Sequence, residues 1–107
     1  MSEVKAELFR ALAHPARVRV LEVLVDGERS VGALQPLVGI ELSHLSQQLG
    51  VLRRAGLVSA RKERSSAYYS LRDPLVAELL AVAKRLLSAQ LSETRDLLAG
   101  LAAPSAG

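Results

Sequence analysis

Apolar positions recur along this chain with two different periods, and the switch between them organises the whole sequence. Over residues 2–13, Val4, Leu8 and Leu12, with Phe9 beside them, fall at helical spacing. His14-Pro15 interrupts that run, and proline, disfavoured inside a helix, suits the first turn of the next one. A second helix is predicted from there, with Val18, Leu21, Val23, Leu24 and Val25 interleaved with Arg17, Arg19 and Glu22. Asp26-Gly27-Glu28 ends it, glycine supplying the left-handed cap conformation. Ser30 has the character of an N-cap for a short helix from Val31 to about Leu37. Gly39 closes that helix, Ile40-Glu41 leads into another over about 42–55, and Gly56 caps it. Two short helices joined by a tight, glycine-containing turn make a helix-turn-helix candidate.

Beyond Gly56 the period shortens. Leu57–Lys62 and Ala67–Leu71 are short β-prone runs, separated by Glu63-Arg64-Ser65-Ser66, a polar segment of hairpin length. Asp73 and Pro74 then open a long helix that runs to about Gly100, with Val76, Leu79, Leu80, Val82, Ala83, Leu86, Leu87, Leu91, Leu97 and Leu98 among its apolar residues. Residues 102–107 are small and polar enough to form a disordered tail. The expected fold class is mainly α with a small β-hairpin wing (α+β), a winged helix-turn-helix of order α-α-α-α-β-β-α. A chain of 107 residues without internal repeat has room for one domain, placed over 1–101.

Composition narrows the chemistry. Half of the residues are hydrophobic, enough for a modest core. Cysteine is absent, which removes disulfides, thiolate metal sites and cysteine nucleophiles together. No run of about 18 apolar residues is present, and the N-terminal residues are charged, so neither a transmembrane helix nor a signal peptide is expected. A cytoplasmic protein is the expectation, with no membrane partner. The formal net charge is +3, but its distribution says more. Arg53, Arg54, Arg61, Lys62 and Arg64, against Glu63 alone, concentrate positive charge on one short stretch, as a phosphate-binding footprint does. Only Phe9, Tyr68 and Tyr69 are aromatic, too few for the base-stacking surfaces of single-strand or RNA binders, so duplex DNA is favoured.

The helix over about 42–55 divides into two faces. Leu45, Leu49 and Leu52 fall at i, i+4 and i+7 and form a stripe for burial. Ser43, His44, Ser46, Gln47 and Gln48 are short or flexible hydrogen-bonding residues without acidic charge, the residue types that read base edges in a major groove. Arg53 and Arg54 at its end would reach phosphates and set register, with Ser30 as a further phosphate contact. Arg61, Lys62 and Arg64 would form a wing over about 58–71 on the adjacent minor groove or backbone. The same residues also fit a solvated polar helix face and a charge-guarded edge strand.

The stretch Leu12-Ala13-His14-Pro15-Ala16-Arg17-Val18-Arg19-Val20-Leu21 resembles the opening "L-A-x-P-x-R-x-x-I-L" of the ArsR/SmtB group of bacterial transcription regulators. Ser30-Val31-Gly32-Ala33-Leu34 resembles that group's first helix-turn-helix helix, and Leu45 through Val58 its recognition helix and the start of its wing. Glu41 departs from the serine or threonine common there, and glutamate is a weaker cap that sits unfavourably near phosphate. The resemblance implies a homodimer built from the first and last helices, reading a pseudo-palindromic operator as a repressor or activator. Independently, residues 75–98 are apolar around more than one helix face, more than a lone small domain covers.

Many members of the group sense metals, but the familiar ligand sets are incomplete. Ser30 stands at a cysteine position, and of the positions matching a last-helix site, Asp73, Leu75, Leu86 and Ala89, only Asp73 could ligate. His14 reads as a helix cap; with Glu3 or Glu7 it is a weak candidate for a nickel, cobalt or zinc site. No cofactor is therefore expected, and regulation would come from a separate sensor protein or from no ligand. An enzyme is excluded for want of a nucleophile, base and orienting group. A protein-interaction module on the same fold, without sequence-specific DNA binding, is the rival function.

Overall fold

The computed structural model describes residues 1–102, which form five helices and three strands. In chain order they are α1 (Ser2–Leu12), α2 (Pro15–Leu24), β1 (Arg29–Ser30), α3 (Val31–Val38), α4 (Leu42–Arg54), β2 (Val58–Glu63), β3 (Ser66–Leu71) and α5 (Pro74–Ala102). The expected order thus gains a strand, β1, between the second and third helices. Two residues show no period of their own, and β1 exists only because Arg29 pairs with Tyr69 and Ser30 with Tyr68 on β3. The sheet is antiparallel with order β1-β3-β2. The tail expected from residue 102 lies outside the described residues, except that α5 includes Ala102. Among the described residues no helix is long and apolar enough to cross a membrane.

The chain divides into two units, Met1–Ala77 and the stretch from Glu78 onward. In the first, the core is aliphatic: Val20, Leu21 and Leu24 of α2, Leu34 and Val38 of α3, and Leu45, Leu49 and Leu52 of α4 are all buried. Leu57 and Val58 close it from the wing side and Val76 from the first turn of α5. Each fully buried leucine contributes about 1.5–3 kcal/mol relative to an exposed one, so α4 is held mainly by its three leucines.

Local chemistry sets the helix ends. His14 caps α2, its Nδ1 accepting from the Ala16 N–H at 3.1 Å, with Pro15 in the first turn. Ser30 caps α3, its Oγ accepting from the Ala33 N–H at 3.1 Å. Gly39 ends α3 in the left-handed region at φ 77°, and its N–H reaches the Gln35 carbonyl at 2.8 Å. That turn aims the chain into α4, whose N-cap Glu41 makes no side-chain capping bond. Asp73 Oδ1 accepts from the Leu75 N–H at 2.8 Å at the start of α5.

In the second unit the helix carries exposed leucines: Leu87, Leu91, Leu98 and Leu101 recur at the three-to-four spacing of one face, with Leu86 and Leu97 beside them.

Candidate nucleic-acid interface

The exposed face of α4 is built by helical geometry. Ser43, Ser46 and Gln47 are exposed, Gly50 follows them half-exposed, and Arg53 and Arg54 project at the C-terminal end. This row places three uncharged hydrogen-bonding side chains along the first two turns and two cations on the last, where they also favour the helix's negative end. Arg54 lies along the row, its Nη1 only 3.2 Å from where a Cβ on Gly50 would stand. Glycine at this position lets the guanidinium lie against the helix.

Two of the five residues assigned to base edges do not belong to the open row. Gln48 is 5% exposed, and its Oε1 accepts from Arg17 Nη1 at 2.9 Å. Its spacing from Leu45 (i+3) and Leu52 (i−4) puts it on the buried stripe, a signal present in the sequence but masked by the run of polar neighbours. His44 is half-buried, with its ring edge-on to that of His14 at a centroid distance of 5.8 Å. It packs toward the start of α2 rather than standing free beside Ser43.

Arg17, the arginine of the L-A-x-P-x-R stretch, is a positioning residue whose partners no sequence pattern gives. Its Nε donates to the Ala11 carbonyl at 2.6 Å and Nη2 to the Arg10 carbonyl at 3.1 Å, so one guanidinium binds two carbonyls at the end of α1 while holding Gln48 on α4. Gln48 lies 31 residues along the chain from Arg17, so this tie is a tertiary arrangement that no local signal announces.

The wing is the β2–β3 hairpin. Glu63 pairs with Ser66, leaving Arg64 and Ser65 as the loop, with Arg64 at φ 58°. Lys62 and Arg64 are exposed near this tip. Among the described residues neither makes an ion pair. Arg61 differs: it is bonded to Glu28 and Glu63 and lies over the Tyr68 ring. The Glu28 carboxyl is held below its ordinary range chiefly by that hydrogen bond, and the Arg61 guanidinium is raised by the same partners. Arg61 is therefore not an open phosphate contact of the kind Lys62 and Arg64 present. Ser30 is half-buried and its oxygen is engaged as the α3 cap.

The candidate metal group is not assembled. Glu7 is paired with Arg10, His14 Nδ1 is occupied by the Ala16 N–H, and Glu3 lies beside the N-terminal amine. Among the described residues no three His, Asp or Glu side chains come together as a metal-binding group. A shallow, largely apolar groove runs between α1 and the end of α4, lined by Val4, Leu8, Ala11, Val51 and Ala55 with Lys5, Glu7 and Arg54 at its margins.

Comparison with known proteins agrees with this architecture. A family model described as a helix-turn-helix domain matches residues 12–60, which span α2 to the start of the wing. An HTH-type transcriptional regulator of Mycobacterium tuberculosis, Rv0081, is 54% identical over 102 residues, covering 94% of this chain and 90% of that one. Its crystal structure superposes with a TM-score of 0.83 at 55% identity, covering 87% of this chain and 94% of that chain. A biofilm growth-associated repressor of Xylella fastidiosa is 40% identical over 85 residues, covering 79% of this chain and 75% of that one. The solution structure of a homodimeric winged helix-turn-helix DNA-binding domain from Mycobacterium bovis, Mb0332, described as a possible ArsR-family regulator, matches with a TM-score of 0.78 at 33% identity. That match covers 85% of this chain and 84% of that one. These relatives are regulators and not enzymes. With its motifs, its helix-turn-helix and wing, and a relative of this identity along nearly its full length, the chain belongs to the ArsR/SmtB-type winged helix-turn-helix transcriptional regulators.

Proposed function

We propose that this chain binds duplex DNA as a homodimer and regulates transcription from a pseudo-palindromic operator. The observation that carries the reading is the row on α4: Ser43, Ser46 and Gln47 exposed and uncharged, ending in Arg53 and Arg54. Such a surface offers donors and acceptors to base edges and cations to the backbone, with no carboxylate inside the row and Glu41 only at its N-terminal end. Lys62 and Arg64 on the wing reach the adjacent minor groove or its phosphates.

The dimer is supported by two apolar surfaces, each taken on its own. On α1, Val4 is 67% and Phe9 58% exposed, and on the second unit Leu91 is 64% exposed among its leucine neighbours. Apolar faces of this kind on a small regulator mark an interface, and a second copy of the chain is the proposed cover. Twofold symmetry then sets two half-sites about one helical turn apart. Regulation by a separate sensor protein, or by no ligand, fits a chain without cysteine better than tight binding of nickel, cobalt or zinc.

The test is titration of the purified protein into its own upstream DNA and into random duplex at several salt concentrations, with and without nickel or zinc. Selective binding that weakens steeply with salt is the expected result. Absence of any selectivity would replace this reading with a protein-interaction module on the same fold.

A further inference from the structure

Arg61 belongs by sequence to the basic stretch assigned to phosphate, yet its guanidinium is engaged on several sides. Nε donates to Glu28 Oε2 at 3.0 Å and Oε1 at 3.1 Å, and Nη2 donates to Glu28 Oε1 at 2.7 Å. Nη1 donates to Glu63 Oε2 at 2.6 Å, and the guanidinium carbon stands 4.6 Å from the centre of the Tyr68 ring. Two carboxylates around one cation leave this point of the wing net negative, which opposes phosphate rather than attracting it.

The route of the side chain matters as much as its partners. Tyr68 is the cross-strand partner of Arg61 on one side of β3 and of Ser30 on the other. Glu63 stands two residues after Arg61, so strand alternation and pairing put Ser30, Tyr68, Arg61 and Glu63 on one face of the sheet, and Glu28, just before β1, joins them through its bonds to Arg61. Arg61 therefore passes over the middle strand, along the Tyr68 ring, to a carboxylate beside the opposite edge strand. That edge strand, β1, runs straight into α3, the first helix of the helix-turn-helix.

We propose that Arg61 is a positioning residue, a strap across β3 to Glu28 that fixes the wing against the entry to the helix-turn-helix, leaving wing phosphate contacts to Lys62 and Arg64. Isolated surface ion pairs contribute little, but a bidentate arginine within a network that also covers an aromatic ring is the favourable exception. The β1–β3 ladder spans only two residue pairs, so an added tie between its flanks changes how often it opens. The consequence for DNA affinity rests on the DNA-binding role proposed above; the strap itself is a property of the free protein.

The experiment uses the full chain and the variants Arg61→Ala, Arg61→Lys, Glu28→Gln and Arg61→Ala with Glu28→Gln, each checked for native helicity by circular dichroism. In the free protein, amide exchange of the β1–β3 ladder should rise about threefold to tenfold in either single variant and no further in the double one, as coupled partners require. Lysine should not restore protection, because it cannot bridge both oxygens. On an upstream duplex, Glu28→Gln should weaken binding about threefold although it removes a negative charge. A phosphate-binding Arg61 predicts the reverse: tighter binding for Glu28→Gln, and binding retained by Arg61→Lys. Should the parent protein bind no DNA selectively, the DNA-binding reading fails and the exchange data still decide the strap. Unchanged exchange in both single variants, or Glu28→Gln binding DNA more tightly, would overturn it.

Discussion

Gln47 and Gln48 are chemically identical neighbours, and a helix turns about 100° between them. That rotation sends one into solvent and the other onto Arg17. Their alanine variants should therefore separate two properties. Gln47→Ala should relax preference for one base pair by about 1–3 kcal/mol while leaving stability nearly unchanged, as read from binding to a panel of single-site operator variants. Gln48→Ala leaves a half-buried Arg17 donor without its partner and should cost about 1 kcal/mol in urea unfolding, with sequence preference intact. The Glu28 carboxyl makes a second residue-scale prediction, through pH. Its folded-state value is depressed, chiefly by its hydrogen bond to Arg61, so its stabilising contribution is present above the unfolded-state value. That contribution disappears as pH falls through the depressed folded value. Carboxyl resonances followed by NMR should place Glu28 below the ordinary glutamate midpoint, and a midpoint at or above it would contradict the bonded geometry.

At the scale of elements, the caps decide where helices stop and how the reading helix is aimed. Ser30→Ala removes the oxygen that receives the Ala33 N–H and should destabilise by about 1 kcal/mol. Gly39→Ala meets no neighbouring atom within 4 Å, so its cost is the left-handed backbone alone, about 1 kcal/mol. Both are measurable by chemical denaturation, and Gly39→Asn should recover part of the loss because asparagine tolerates that conformation. These elements are legible in the amino-acid sequence itself. Helical period, proline at a first turn, serine as a cap and glycine at φ 77° are local signals, and the observed boundaries lie within a residue or two of those expected. The strand β1 is not legible there, because two residues carry no period and the pairing partner is some forty positions along the chain. Gln48 lies between these cases: its spacing from Leu45 and Leu52 marks it for burial, and its polarity argues against.

For the whole molecule, the proposed dimer places its energy in apolar side chains rather than in charges. Leu91→Glu puts a carboxylate into a leucine face that the single chain leaves exposed. Because the side chain is open to solvent within its own unit, the variant should keep its helicity yet shift from dimer to monomer in light scattering. Operator affinity should then fall about a hundredfold or more as the linked second half-site is lost. A variant that remains dimeric at micromolar concentration would move the interface elsewhere. What the sequence determined by itself was the fold class, the order of all elements but one, and the family, because each rests on signals within a few residues of one another. Tertiary structure alone decided which polar residues face outward. Whether a glutamine reads a groove or ties two helices, and whether an arginine meets phosphate or a carboxylate across a strand, depends on partners far along the chain. Those partners come within hydrogen-bonding distance only after the helices and sheet have packed.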